Sequence, residues 1–413
     1  MSFPLSRRIA LLTLTVLFGV FATSAQAGEE PEKYELESVS AELSTPQAGA
    51  HADFTLGFAL SEEGGQPFAK TRDVEFRLPP GVIGNPQGIP GCTVSQLGNA
   101  PDESECPIDS QVGVTEVTIG GGTSISGSFI EPIYNMEPPG GDIVARFGFM
   151  ADVYPIFVNI RVDPIDYSIV ASIEGAPSAA ELIKAKSTLW GVPAAESHDE
   201  LRLTPQEASE SKAPPGGRKA GLPPAPFLSN PTDCSPGREL TVTAISYQQP
   251  EQPRTKSAPF PQITGCGKLS FEPTFTAIPT NPEAAAPTGL DATLTIPQDE
   301  TPQGRASSAL KSAVVSLPEG MTINPAAGDG LQGCSPAQVG FETTKPSNCP
   351  DAAKIGSAEV EVPALEKTLR GSVYQRTPEE GKLFRFWLVT DEQGVHLKLP
   401  AEILANPLTG QLT

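Results

Sequence analysis

The chain has 413 residues, with 28 Lys and Arg against 49 Asp and Glu, a formal charge of −21. That balance argues against nucleic acid, whose phosphates need a basic surface, and against docking on anionic lipid. Its 39 Gly and 44 Pro exclude long helices, because proline breaks a helix and glycine weakens it.

Residues 1–27 read as a secretory signal peptide. Arg7 and Arg8 form the basic end, Ile9–Ala22 the apolar stretch, and Ala25-Gln26-Ala27 an A-x-A cleavage site. The apolar run is shorter than the roughly 18–20 residues of a spanning helix, so no membrane span is expected after cleavage. Cleavage removes two Arg and no acid, taking the formal charge from −21 to −23. Such a surface leaves weak divalent-cation binding open, although no D-x-D-x-D-G calcium loop occurs.

Residues 28–50 form an acidic leader. Residues 51–175 then read as a first β unit. Asp53–Leu60 alternates apolar and polar residues with period two, the mark of a half-buried strand. Val74, Phe76 and Leu78 alternate likewise and run into the turn Pro79-Pro80-Gly81. Val112 and Val114, with Val117 and Ile119 after a phase change, predict another strand. So do 143–149, 157–162 and 169–173.

Residues 176–228 read as a connector. Ser178–Lys186 is its helix candidate, and 205–226 (PQEASESKAPPGGRKAGLPPAP) is a flexible Pro/Gly loop. Residues 229–285 form a β segment with strands at Leu240–Ile245 and Leu269–Phe275. Residues 286–413 repeat the first unit. Ala292, Leu294 and Ile296 match its opening strand, and Val315 and Leu317 match Phe76 and Leu78. Leu383–Trp387 matches Ile143–Phe147, and Val395–Leu399 matches the strand at Phe157. Nothing follows Thr413 to match the 176–228 segment, so the second unit reads as truncated.

The repeat is plainest in one skeleton. Residues 78–113 and 317–356 share Leu-Pro-x-Gly, Asn-Pro, a Cys, Cys-Pro and a hydrophobic-Gly step. Turn formers and staples build it, not nucleophiles or metal ligands. The six cysteines pair most economically within units, as Cys92 with Cys106, Cys234 with Cys266 and Cys334 with Cys349. Closing a loop of about 15 residues is worth roughly 3 kcal/mol. No C-x-x-C or Cys/His spacing suits zinc, and no cofactor is expected. The fold class is all-β: tandem antiparallel, Ig-like β-sandwich modules with long Pro/Gly-rich, disulfide-stapled loops.

Candidate chemistry concentrates at Trp190–Arg202, where Trp190, His198, Asp199 and Arg202 lie within thirteen residues. They read as a structural anchor, with Trp190 buried and Asp199 pairing Arg202 or capping a turn, or as a ligand-facing aromatic surface. A Ser-His-Asp hydrolase needs G-x-S-x-G, and Gly122–Gly127 has the wrong spacing. Glu131, Glu137, Asp142, Asp163 and Asp166 supply carboxylates for glycoside cleavage, but no feature selects a pair. Asn406-Pro407-Leu408-Thr409-Gly410 only faintly resembles a sortase signal, with Asn where Leu belongs.

The motifs LPPGVIGNP…C…CP…QVG, WGVPAAESHDELR and PFLSNPTDCS resemble the uncharacterised, repeat-bearing large secreted or surface proteins of high-GC Gram-positive soil bacteria. The resemblance covers nearly all of the chain after residue 27. It implies longer chains with further repeats and carries no catalytic residues. The expectation is a non-catalytic, secreted or cell-surface structural or adhesive protein, binding an unknown protein or glycan surface through loops. The alternative is a secreted carbohydrate-active or other hydrolase.

Overall fold

The computed structural model describes residues 33–98, 106–121, 126–151, 153–210, 214–323, 332–382 and 384–413. The expected signal peptide lies outside them. In chain order the strands begin with β1 (Leu36–Leu43), β2 (Phe54–Leu60), β3 (Glu62–Glu63), β4 (Gln66–Pro67), β5 (Thr71–Arg77) and β6 (Ile83–Gly84). There follow β7 (Gln111–Ile119), β8 (Gly127–Met136), β9 (Ala145–Ala151), β10 (Tyr154–Val162), β11 (Ile169–Ile173) and β12 (Leu182–Leu189). Then come β13 (Leu228–Ser229), β14 (Glu239–Ser246), β15 (Arg254–Pro259), β16 (Thr274–Pro279) and β17 (Leu290–Thr295). The last are β18 (Lys354–Val360), β19 (Leu369–Gln375), β20 (Phe384–Glu392) and β21 (Val395–Ile403). The α-helices are short: α1 (Val94–Gly98), α2 (Pro205–Ser209) and α3 (Pro336–Val339).

Eleven strands form one sheet in the order β1-β2-β12-β7-β8-β9-β10-β11-β5-β14-β15, and every adjacent pair is antiparallel. The sheet curls on itself. Its two edges approach where Lys256 Nζ donates to Glu37 O at 2.8 Å and Arg254 Nε lies 3.6 Å from Glu35 Oε1. Inward residues from distant strands therefore share one core. Phe58 of β2 meets Phe76 of β5 edge to face at 5.6 Å, and Phe147 of β9 meets Phe227 at 5.9 Å. Such aromatic pairs add about 0.5–1.5 kcal/mol each to the burial of their area.

The architecture is all-β, with several antiparallel sheets and three disulfides: Cys92–Cys106, Cys234–Cys266 and Cys334–Cys349. One expectation fails at the element level. Ser178–Lys186 is not a helix, because Leu182–Leu189 is β12 in the sheet, paired with β2 and β7. Lys184 and Lys186 point to solvent while Ala185, Ser187 and Leu189 are half-buried, so the period of two was present in the sequence. Ala and Lys favour helix in isolation, and the open ladders on both sides outweigh that preference. The segment expected as a connector thus supplies a central strand, and β14 and β15 extend the far edge.

A second, four-stranded sheet has the order β18-β19-β20-β21, the sequence of pairings seen in β7-β8-β9-β10. The stapled loops beside the two sheets are built alike. Cys92 N donates to Asn135 O and Cys334 N to Gln375 O, each at 2.8 Å. A Thr93/Gln96 pair of reciprocal bonds starts α1, and a Ser335/Gln338 capping box starts α3. A bulge interrupts the pairing at Gln111/Gly113 and at Lys354/Gly356. Leu78 N donates to Ile169 O at 3.0 Å, and Leu317 N to Leu412 O at 2.9 Å. Asn406-Pro407-Leu408-Thr409-Gly410 is an Asx turn, with Leu408 N donating to Asn406 Oδ1 as Ile165 N donates to Asp163 Oδ1.

The register also corrects one match. Tyr134 faces Gly148 across β8 and β9, while Tyr374 faces Trp387 across β19 and β20. Trp387 therefore stands at the place of Gly148, not of Phe147. A Cβ at Gly148 would lie 2.7 Å from Leu97 Cδ2 and 3.0 Å from Met136 Sδ. The second sheet fills that space with Trp387 and pairs it with the smaller Val339, while Arg376 lies over the ring at 4.2 Å. Residues 306–317 form no strand, so Val315 and Leu317 lack the ladder that holds Phe76. The expected strand at Leu269–Phe275 starts later, as β16 at Thr274.

Candidate functional site

The Trp190–Arg202 segment follows β12 and crosses the end of the main sheet. All four singled-out side chains are buried. Trp190 and Arg202 are each 1% exposed, His198 6% and Asp199 8%. A 3-10 helix at Glu196–Leu201 turns His198 back over the indole, and the rings stack at 4.6 Å with 6° between planes. The Arg202 guanidinium lies 5.5 Å from the Trp190 ring. Its Nε donates to Arg218 O at 3.0 Å, one terminal nitrogen to Pro193 O at 2.8 Å, and Asp199 Oδ1 lies 3.6 Å away. Burial pushes the Arg202 guanidinium pKa down, while Asp199 and Asp109 oppose that.

Asp53 completes the cluster from β2's edge, 145 residues earlier in the chain. His198 Nε2 lies 3.1 Å from Asp53 Oδ2, and His198 Nδ1 lies 3.1 Å from Val192 O. Both ring nitrogens lie within hydrogen-bond distance of an oxygen. Asp53 Oδ1 also accepts from Gly191 N at 2.8 Å. Burial raises the Asp53 pKa, but the His198 bond, the Gly191 N–H and the His198 charge together hold it below the ordinary carboxylate value. A local motif cannot show this partner, because only the pairing of β12 with β2 brings Asp53 to Trp190–His198.

Neighbouring polar groups are also engaged. Glu207 closes a capping box with Thr204 and receives both Nε and a terminal nitrogen of Arg218, at 3.0 and 2.5 Å. Those bonds hold its carboxyl down at about 2. The Tyr134 hydroxyl donates to Leu203 O at 3.2 Å, and burial pushes its pKa up.

The carboxylates expected as hydrolase candidates do not converge as a free pair. Arg77 binds Asp163 at 2.6 Å and Asp166 at 3.1 Å. Asp142 meets His396 Nε2 at 3.2 Å, and the other ring nitrogen lies 2.9 Å from Asp391. Glu131 is buried in β8. A cleft of about 210 Å³ lies among Arg77, Asp142, Asp163 and His396, and a second of about 280 Å³ lies beside Pro79, Pro80 and Arg238. Both fall below the roughly 300–1,000 Å³ of small-molecule sites. Among the described residues, no group of three or more His, Cys, Asp or Glu is placed to hold a metal ion. Among them, too, no helix is long and apolar enough to cross a membrane, which says nothing of strands.

No protein-family profile, no curated protein and no solved structure matches this chain.

Proposed function

We propose that the chain is a non-catalytic structural or adhesive protein of the secreted or cell-surface type, presenting loops on rigid β-sheets to a protein or glycan surface. In this reading residues 51–175 and 286–413 are copies of one Ig-like sandwich unit, elaborated in the first copy by 176–259. One observation carries it. The segment richest in catalytic residue types spends them as internal fasteners: Trp190, His198 and Arg202 are buried and bound to one another, to Asp53 and to backbone carbonyls. No exposed ring remains there to face a ligand. The matched loops and pairings of the two sheets support the repeat, and three disulfides suit an oxidising compartment.

The test is a glycan and cell-wall binding array on residues 28–413, run beside generic hydrolase substrates. Saturable binding without turnover is the expected result. Turnover of a substrate with no binding partner on the array would overturn the reading in favour of a secreted hydrolase.

A further inference from the structure

The two clefts of the main sheet meet at Arg77, which lines both. Val74 and Phe76 of β5 pack in the core, so Glu75 and Arg77 between and beyond them face outward. The register sets Arg161 of β10 opposite Val170 of β11, Val170 opposite Arg77, and Arg77 opposite Thr241 of β14. Their chain neighbours Ile160, Ile169, Phe76 and Leu240 belong to the core, so all four form one outward row. Each of the four lines one cleft or the other. At about 4.8 Å between strands the row is about 14 Å long. Gly394 and His396 wall the first cleft at its β10 end, and Pro80 and Arg238 wall the second at its β14 end. Together the clefts offer about 490 Å³, inside the roughly 300–1,000 Å³ of small-molecule sites.

The groups along this row are polar, mixed in sign and already fixed. Arg77 gives one bond to Asp163 at 2.6 Å and one to Asp166 at 3.1 Å, which holds its guanidinium in place and leaves further N–H donors over. Its side chain is still 39% exposed. Glu75 stands exposed in the adjoining row, between Ser172 and Thr243, and among the described residues its carboxylate has no bonded partner. The chemistry of the lining selects among ligands. An anionic polymer meets five carboxylates against three guanidinium groups, on a chain of charge −21, and is repelled. An extended peptide that adds as a strand needs an open edge, but β10, β11, β5 and β14 are each paired on both sides. A neutral sugar chain fits: its neighbouring hydroxyls donate to a carboxylate and accept from a guanidinium fork or a threonine. The length of the row suits a short oligosaccharide rather than a single ring.

We propose that the row of Arg161, Val170, Arg77 and Thr241, with Glu75 beside it, binds a neutral linear oligosaccharide laid across the strands. Arg77 and Thr241 supply donors, Glu75 accepts from the sugar hydroxyls, and Val170 and Pro80 offer apolar surface to the C–H faces of the rings. Because the donors and acceptors sit on paired strands and Arg77 is held by two carboxylates, little side-chain freedom is lost on binding. The proposal rests on the adhesive reading above and gives it a site and a ligand class.

The experiment titrates cellohexaose, maltohexaose and chitohexaose separately into the full chain by calorimetry. Saturable binding of at least one is expected, little changed by added salt because the ligand carries no charge. Glu75→Gln and Thr241→Val should each weaken that binding at least about tenfold, with the melting temperature unchanged. Thr118→Val, on the outward face of β7 and away from the row, should bind as the parent does. Absence of saturable binding by all three sugars, or binding by the Glu75→Gln and Thr241→Val chains equal to the parent's, overturns the proposal. Capture of only a protein or an anionic polymer on the array also overturns it, and leaves the adhesive reading standing. Turnover of an oligosaccharide would sink the adhesive reading, while the affinities of the two variants would still decide whether the row is where the sugar binds.

Discussion

A single histidine shows how the site residues are used. His198 packs flat on Trp190 and holds Asp53 across the sheet end, so the Asp53 carboxylate ties β2 to the segment that follows β12. Asp53→Ala removes the acceptor of both the His198 and the Gly191 bonds and leaves a buried imidazole facing an empty place. Hydrogen bonds to charged groups are worth about 1.5–3 kcal/mol, so urea unfolding should show a loss of about 2–3 kcal/mol with an unchanged m-value. A loss below about 0.5 kcal/mol would mean that the pair adds no net stability. The sequence shows the aromatic, the His and the Arg because they are neighbours along the chain. It hides Asp53, whose approach depends on a strand pairing that spans more than a hundred residues.

At the scale of elements, the two glycines of the matching bulges differ in what surrounds them. Gly113→Ala drives a Cβ into the Thr188 carbonyl of β12, backbone that cannot swing aside. Forcing atoms into a packed site costs about 1–3 kcal/mol, and more when backbone must shift, so thermal unfolding should fall by several degrees. Gly356→Ala meets only ordinary contact and should leave unfolding unchanged. Equal effects of the two would remove the distinction. Most strands of the main sheet were legible: β14 buries every second residue, β2 buries Phe54, Phe58 and Leu60, and β5 buries Val74 and Phe76, as their sequences alternate. β12 is hard to read because Ser178–Lys186 (SAAELIKAK) is rich in Ala and Lys and overlaps its first half, and its neighbours decide its state. β15, which exposes most of its residues at a sheet edge, has no apolar stripe to read.

Over the whole molecule, sequence spacing set strands and staples but not the closure of the sheet. Residues 182–189 and 239–259 join strands from 36–77 by pairings that no local pattern encodes. The same closure places depressed carboxylates at distant points of one cooperative structure. The Arg77 hydrogen bond holds Asp163 below the ordinary carboxylate value, Arg218 holds Glu207 at about 2, and Asp53 lies low beside His198. A carboxyl that is harder to protonate folded than unfolded contributes stability above its unfolded pKa, about 4, and loses it as pH falls through the folded value. The melting temperature should therefore hold from pH 7 to about 5 and then fall steeply toward pH 2. Arg77→Ala and Arg218→Ala should each lower the plateau and flatten the fall, because their carboxylates then titrate alike in both states. Both guanidinium groups are part-exposed, so solvent screens the gain and each single effect should be modest. A melting temperature that rose between pH 4 and 2 would show instead that relief of the −21 charge outweighs these pairs.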